Sequence, residues 1–374
     1  MIYLDHNATT PVDPAVCEAM YECLKSIYGN PSSSHLPGQR AREAVETSRA
    51  SVAGLLGCSP EEVYFTSGGT ESNNLAILGT ARKHGRGHII TSRIEHPSVL
   101  NPVKHLESAG FEVTRVGVDP DGRALVGEIE RALRKDTVLI TIMHSNNETG
   151  VLQPVQEISA LARARGIPFH TDAAQSVGKV PVHAPDFDML TVAPHKFYGP
   201  KGAGALYIRR SMEPLPILFG AGHEGGMRPG TENVPGVVGT AVACELSREG
   251  LEARASRLAA LKRLLLEELE KALPGLRVNG HGAPCLPGTL NVSMPGADAV
   301  QLTWALRDKV AVSSGSACHA GQTSPSPVLK AMGLTDEEAM SSLRLSLGKD
   351  NTDDEVRDAA RLISEACRLP GLAR

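Results

Sequence analysis

Aromatic side chains are scarce: Trp, Tyr and Phe make up only 3% of the 374 residues. A flat ligand bound here must find a stacking partner other than an aromatic cage. An excess of basic residues is also missing. The 38 Lys and Arg are offset by 42 Asp and Glu, for a net charge of −4, which argues against a nucleic-acid or membrane-surface protein. No apolar run approaches the ~20 residues of a membrane span. The seven cysteines are scattered and odd in number, with no CxxC pair, so free thiols in a reducing cytoplasm are expected. The histidines show no metal-ligand spacing, so no metal centre is expected. The opening "MIYLDHNATTPVDP" reads as a short strand and turn rather than a signal peptide. No repeat or low-complexity tract is present.

Apolar residues supply 41% of the chain, and the length exceeds what one core usually serves, so two domains are expected. The segments 61–67, 88–92, 112–118, 137–144, 167–173, 188–193 and 204–209 are rich in Val, Ile and Thr and read as strands. Helical stretches such as "ESNNLAILGTARKH" and "VQEISALARARG" lie between them. This alternation predicts an α/β domain over 15–250 with a mostly parallel sheet. Residues 251–273 read as a long amphipathic helix stopped at Pro274-Gly275. Further strands and helices follow, so residues 251–374, with 1–14 folded against them, are expected to form a smaller α+β domain. The Ser-, Gly- and Pro-rich stretch 313–327 reads as an exposed loop.

In a parallel sheet, ligands sit beyond the carboxyl ends of the strands. "TSGGTES" follows one strand and opens a helix; Gly68, Gly69 and Thr70 suit a phosphate, although Gly-Gly-Thr also serves as an ordinary turn and cap. The helix dipole alone contributes roughly 0.3–1 kcal/mol, so other donors must share the task. His96, Asn147, Asp172 and Gln175 lie beyond other strands, and Lys196 stands in "PHKFYGPKG" before a turn. Each alone has a plain structural explanation, such as an N-cap for Asp172. Together, a lysine, a carboxylate and a phosphate cradle describe a pyridoxal 5'-phosphate site. The lysine makes a Schiff base, and the carboxylate keeps the pyridine nitrogen protonated so that the ring draws electrons. An opposite charge at ~4 Å and an effective dielectric of ~20 contributes about 4 kcal/mol. His96 could stack on the ring where aromatics are few. Lys201, beyond the turn, is expected to face solvent.

The motifs "LDHNATTP", "TSGGTESNN", "EHPSV", "NNETG", "TDAAQSVGK", "HKFYGPKGAGALY", "GMRPGTEN", "SSGSACHAG" and "LRLSLG" resemble, in order and over nearly the whole chain, the cysteine desulfurases of the NifS/IscS type. These belong to the class V aminotransferase group of fold-type I pyridoxal phosphate enzymes. Selenocysteine lyases are close relatives. The resemblance implies that Lys196 is the Schiff-base lysine and that Gly69, Thr70 and His195 hold the phosphate. It makes His96 the stacking and catalytic imidazole, Asp172 the pyridinium partner and Gln175 the donor to the phenolic oxygen. Asn147 and Arg344 resemble the substrate carboxylate site, a guanidinium pairing bidentately with a carboxylate. Thr231 resembles a phosphate ligand given across a homodimer interface, and Cys318 the nucleophile that takes sulfur. Where that pattern commonly has a phosphate-binding serine, this chain has Ala193.

The implied reaction converts L-cysteine to L-alanine and leaves a persulfide on Cys318. The sulfur passes to an acceptor or iron–sulfur scaffold protein, with tRNA thiolation or nitrogenase maturation as other destinations. Ala193 and "CHAG…PSPVL" lean toward selenocysteine as the substrate. Transamination would yield pyruvate instead of alanine. A non-catalytic assembly subunit is a third reading, opposed by the intact Lys196, Asp172 and Cys318. His319 is read as a loop residue, because adjacent side chains on an extended chain point apart.

Overall fold

Strands buried on both faces need mostly apolar residues, and the inner strands here supply Ile, Leu, Val, Met and Phe with Thr and His between them. In the computed structural model, which describes residues 1–319 and 322–369 but not the side chains of 316–319, 322 and 323, seven strands form the main sheet. Their order is Val63–Thr66, Gly204–Ile208, Met189–Val192, Phe169–Asp172, Thr137–Thr141, His88–Ser92, Glu112–Val116. All run parallel except Gly204–Ile208, which is antiparallel to both its neighbours. Side chains alternate between faces. Ile90, Ile140, Leu190 and Tyr207 join one apolar cluster, whereas Ile89, Leu139, Met189 and Leu206 join another on the opposite face.

A second sheet of four strands has the order Ser313–Ser314, Ser342–Ser346, Thr289–Ser293, Arg277–Val278. It packs its own cluster, including Leu290, Val292, Leu343, Leu345 and Ile363. The start of the chain joins this region. Ile2–Tyr3 pairs in parallel with Val310–Ala311, Asp5 bridges to Ser346, and Leu4 is fully buried in the same cluster.

The helix expected over 251–273 is longer, running from Val234 to Ala272. Pro235, Gly236 and Gly239 read as breakers, but Asn233 caps the helix and its Oδ1 accepts from Gly236 N. Proline is tolerated in the first turn, where its missing N–H has no intrahelical partner. The small residues let the helix lie close against Pro14–Ser26 and Leu36–Leu56. Val237, Ala243 and Cys244 enter the cluster of the large sheet, and Leu258, Leu261, Leu265 and Leu269 enter that of the small one. One helix thus serves two cores.

Most of the described residues of 313–327 are in regular elements. Ser313–Ser314 pairs with Ser342–Ser346, Ser316–His319 pairs with Gln322–Pro325, and Pro327 opens a short helix. Strand pairing gives backbone amides and carbonyls partners whatever the side chains, so a Ser- and Gly-rich composition does not prevent it. Among the described residues no helix is long and apolar enough to cross a membrane.

Candidate active site

Five strand ends of the large sheet open onto one cavity of about 430 Å3. The end of Val63–Thr66 delivers Gly69 and Thr70, that of His88–Ser92 delivers His96, and that of Thr137–Thr141 delivers Asn147. Asp172 ends its own strand, with Gln175 three residues on. Met189–Val192 leads to His195 and Lys196. Arg344 closes the cavity from the second sheet. Nine of the residues singled out in the sequence therefore meet in one place. Thr231 does not: it is exposed in the segment before the long helix. The side chain of Cys318 lies outside the described residues; its backbone pairs with that of Thr323.

The turn at the phosphate-suited end depends on glycine. Gly68 has φ 152° and ψ 178°, a region that side chains make inaccessible. A Cβ on Gly204 would come within 2.5 Å of the Gly68 Cα. The helix Gly69–His84 begins here, and the first N–H groups of a helix have no partner within it. Glu71 accepts from Ser67 N at 2.8 Å and pairs with Arg228, bracing the turn.

Lys196 Nζ donates to the carbonyl oxygens of Asn7 at 2.8 Å and Ala8 at 2.7 Å. Burial and the nearby Arg344 cation pull its pKa down to about 8, against the opposing pull of Asp172 and Asp5. Lys201 is exposed. His195 pairs through Nδ1 with Thr9 Oγ1 at 3.1 Å. Burial, then Lys196, Lys201 and Lys179, lower its pKa to about 4, so its ring is neutral.

Asp172 is buried. Its Oδ2 accepts from Asn73 Nδ2 at 2.7 Å and its Oδ1 from Ala174 N at 2.9 Å. Asn73 Nδ2 also donates to Ser98 Oγ at 2.8 Å, and Ser98 Oγ lies 2.7 Å from His96 Nδ1. Ser98 N donates to the same Nδ1 at 3.1 Å. An accepting Nδ1 leaves the proton on Nε2. Burial, with Lys196, holds the His96 pKa low, against Asp172. The imidazole is thus a neutral Nε2–H form linked through Ser98 and Asn73 to the carboxylate.

Arg344 donates to Asp5 Oδ1 at 2.7 Å, Ser313 Oγ at 2.9 Å and Asn147 O at 3.1 Å. Its Nε is buried without a partner, which leaves capacity for an anion. Asn147 contributes through its backbone to Arg344 and Asn7 and lines the cavity. Ala193 also lines it, and a Cβ on Gly69 would stand 3.5 Å from the Ala193 Cβ. Among the described residues no group of three or more His, Cys, Asp or Glu could hold a metal ion.

The sequence pattern of the family described as "Aminotransferase class-V" matches residues 2–358. The chain belongs to the class-V aminotransferase family. It is 47% identical to the protein named "Cysteine desulfurase IscS" of Anaeromyxobacter sp. (strain K), over 98% of this chain and 92% of that one. It is 44% identical to "Cysteine desulfurase, mitochondrial" of Arthroderma benhamiae, over 97% of this chain and 74% of that one. Among solved structures it is similar to a "NIFS-LIKE PROTEIN", with a TM-score of 0.92 and 37% identity over 97% of this chain and 98% of that one. It is also similar to the structure described as "SspA in complex with cysteine", with a TM-score of 0.83 and 38% identity over 94% of this chain and 100% of that one.

Within this family framework the structure adds residues that sequence reasoning left without a role: Asn7, Asn73, Ser98 and Lys179. The signal was partial. Asn7 lies in "LDHNATTP" and Asn73 in "TSGGTESNN", both prominent motifs. Neither the partner nor the direction of an amide can be read from its own neighbours in sequence.

Proposed function

We propose that this chain is a pyridoxal 5'-phosphate-dependent cysteine desulfurase acting on L-cysteine. The observation that carries the reading is the meeting of Lys196, Asp172, His96 and Arg344 around one cavity. The donor set suits the cofactor. A lysine with a lowered pKa is available for an aldehyde, a buried carboxylate for a ring nitrogen, and helix N–H groups with a histidine for a phosphate. When bound, pyridoxal phosphate supplies an electron sink that weakens the bonds around the substrate Cα.

The chain's own groups do the rest. Gly69, Thr70 and His195 hold the phosphate, joined by Thr231 from a second copy in a homodimer. Asp172, oriented by Asn73, keeps the ring nitrogen protonated. Gln175 donates to the phenolic oxygen, and His96 covers the ring. Arg344 and Asn147 orient the substrate carboxylate, taking up the unpartnered Nε of Arg344. Lys196 would hold the cofactor through its amine, and that amine would take the substrate Cα proton. Cys318 thiolate attacks the substrate sulfur: an S–S bond forms, the C–S bond breaks, and its electron pair stays with Cβ. Cβ then takes a proton and Lys196 returns one to Cα, giving alanine and a persulfide on Cys318. An acceptor such as an iron–sulfur scaffold protein removes that sulfur in the cytoplasm. Residues 15–250 form the cofactor-binding domain, and 1–14 with 251–374 the smaller one, joined by the helix Val234–Ala272.

Product analysis tests the assignment. Wild type should give alanine, not pyruvate, from L-cysteine, and Cys318→Ala should lose it. Turnover of L-selenocysteine with no alanine from L-cysteine would reverse the substrate assignment in favour of a selenocysteine lyase.

A further inference from the structure

Lys179 has no step in the chemistry above, yet it stands beside it. It lies four residues after Gln175, in the turn that follows the strand Phe169–Asp172. Bonds from Val177 N to Ala173 O and from Val180 N to Ser176 O close that turn. Lys179 Nζ donates to Gln175 Oε1 at 2.8 Å and to Asn7 Oδ1 at 3.0 Å. It does not line the large cavity; it borders a small neighbouring one, shared with Asn7 and Lys196. Burial pushes its pKa down to about 7, and the charges that add to this, Lys196 and Arg344, are both cations. A buried ammonium among like charges is unfavourable unless its donors are needed.

The need is visible in the two amides. A carboxamide can turn either its oxygen or its NH2 toward a neighbour, and the neighbours decide which. In its protonated form the Lys179 ammonium has three donors and no acceptor, so it then binds only oxygen ends. With Oε1 held by Lys179, Gln175 turns Nε2 to the backbone oxygen of Asn7 at 2.8 Å. With Oδ1 held, Asn7 turns Nδ2 to Asn147 O at 3.2 Å and Thr289 Oγ1 at 3.0 Å. The Asn7 backbone oxygen that accepts from Gln175 also receives Lys196 Nζ. Gln175, Asn7 and Lys196 all line the large cavity.

We propose that Lys179 is a positioning residue: it fixes Gln175 with its NH2 rather than its oxygen toward the cofactor's phenolic oxygen, and holds Asn7 against Lys196. The inference rests on the reading of the cavity as a pyridoxal phosphate site. A donor at the phenolic oxygen stabilises its anion. An amide oxygen turned there instead sets two acceptors face to face.

The test compares Lys179→Met, which removes the donors at similar length, with Lys179→Arg, which keeps donors and charge. The holoenzymes are titrated by visible absorbance. The apo-proteins are measured for pyridoxal phosphate affinity and melting temperature, and alanine formation gives kcat and KM. The Met variant should move the absorbance transition up by about one pH unit. It should also bind the cofactor more weakly and lose about tenfold in kcat with little change in KM for cysteine. The Arg variant should recover most of this. Adding Gln175→Leu to Lys179→Met should move the transition no further, because the lysine acts through that amide. An unchanged transition in the Met variant, or shifts that simply add in the double variant, overturns the proposal. Equal losses in both single variants that follow melting temperature alone also overturn it, assigning Lys179 to scaffolding. A wild type with no cofactor-dependent band overturns the cofactor reading itself, and this inference with it.

Discussion

Two charged side chains that line the cavity, Asp172 and Lys196, carry the proposed chemistry, and each can be tested alone. Asp172→Asn keeps the size and shape, leaves one acceptor where the carboxylate uses two, and removes the charge proposed to hold a proton on the ring nitrogen. A pair of opposite charges at ~4 Å and an effective dielectric of ~20 contributes about 4 kcal/mol, so kcat should fall by about three orders of magnitude while the cofactor stays bound. Steady-state kinetics with absorbance read both. Lys196 has a pKa lowered to about 8, chiefly by burial and then by Arg344. Its neutral amine is the form that reacts with an aldehyde, so cofactor uptake by apo-protein should speed up as pH rises and reach half its maximum near about 8. Uptake that is flat with pH, measured by stopped-flow absorbance, would remove Lys196 as the titrating group. The lowered Lys196 pKa is not written in the local sequence. "APHKF" names the residue type, but the Arg344 cation and the Asn7 and Ala8 carbonyls around it come from far away along the chain.

At the scale of elements, the strands were the most legible part, because Val-, Ile- and Thr-rich runs such as "HIITS" are what a doubly covered sheet demands. The long helix was legible only from 251. Its first four turns pack through Gly, Ala and Val against two other helices, and that tertiary contact overrides the breaker signals of Pro235 and Gly236. The segment leading to Thr231 was legible as a motif but not as a structure. Glu224, at φ 48°, holds it in place: its carboxylate pairs with Arg49 at 2.7 and 2.8 Å and accepts from Phe65 N at 2.8 Å. Both partners are largely buried. Glu224→Ala leaves Arg49 with the exposed Glu46 as its charge partner and Phe65 N without its acceptor, and should cost about 1–3 kcal/mol in a urea unfolding experiment. A loss within experimental error would show that this ion pair does not anchor the segment.

For the whole molecule, the site draws on both sheets. Asp5, Asn7 and Arg344 come from the region of the small sheet, and Lys196 and Asp172 from the large one. Thr231, exposed and outside the cavity of its own chain, belongs in this account to the site of a second copy. Mixing inactive Thr231→Val and Lys196→Ala proteins should therefore restore activity in hybrid dimers, each with one intact site. Failure of an exchanging mixture to recover any activity would place Thr231 in its own subunit's site or outside the reaction. The central claim is that Lys196 and Cys318 together move sulfur from cysteine onto the protein. The most direct measurement is a single turnover with labelled L-cysteine, followed by mass spectrometry of the chain and analysis of the amino acid released. The account predicts one alanine for each sulfur retained on Cys318, and neither product from Lys196→Ala. Alanine without sulfur on Cys318, or pyruvate in its place, would contradict it.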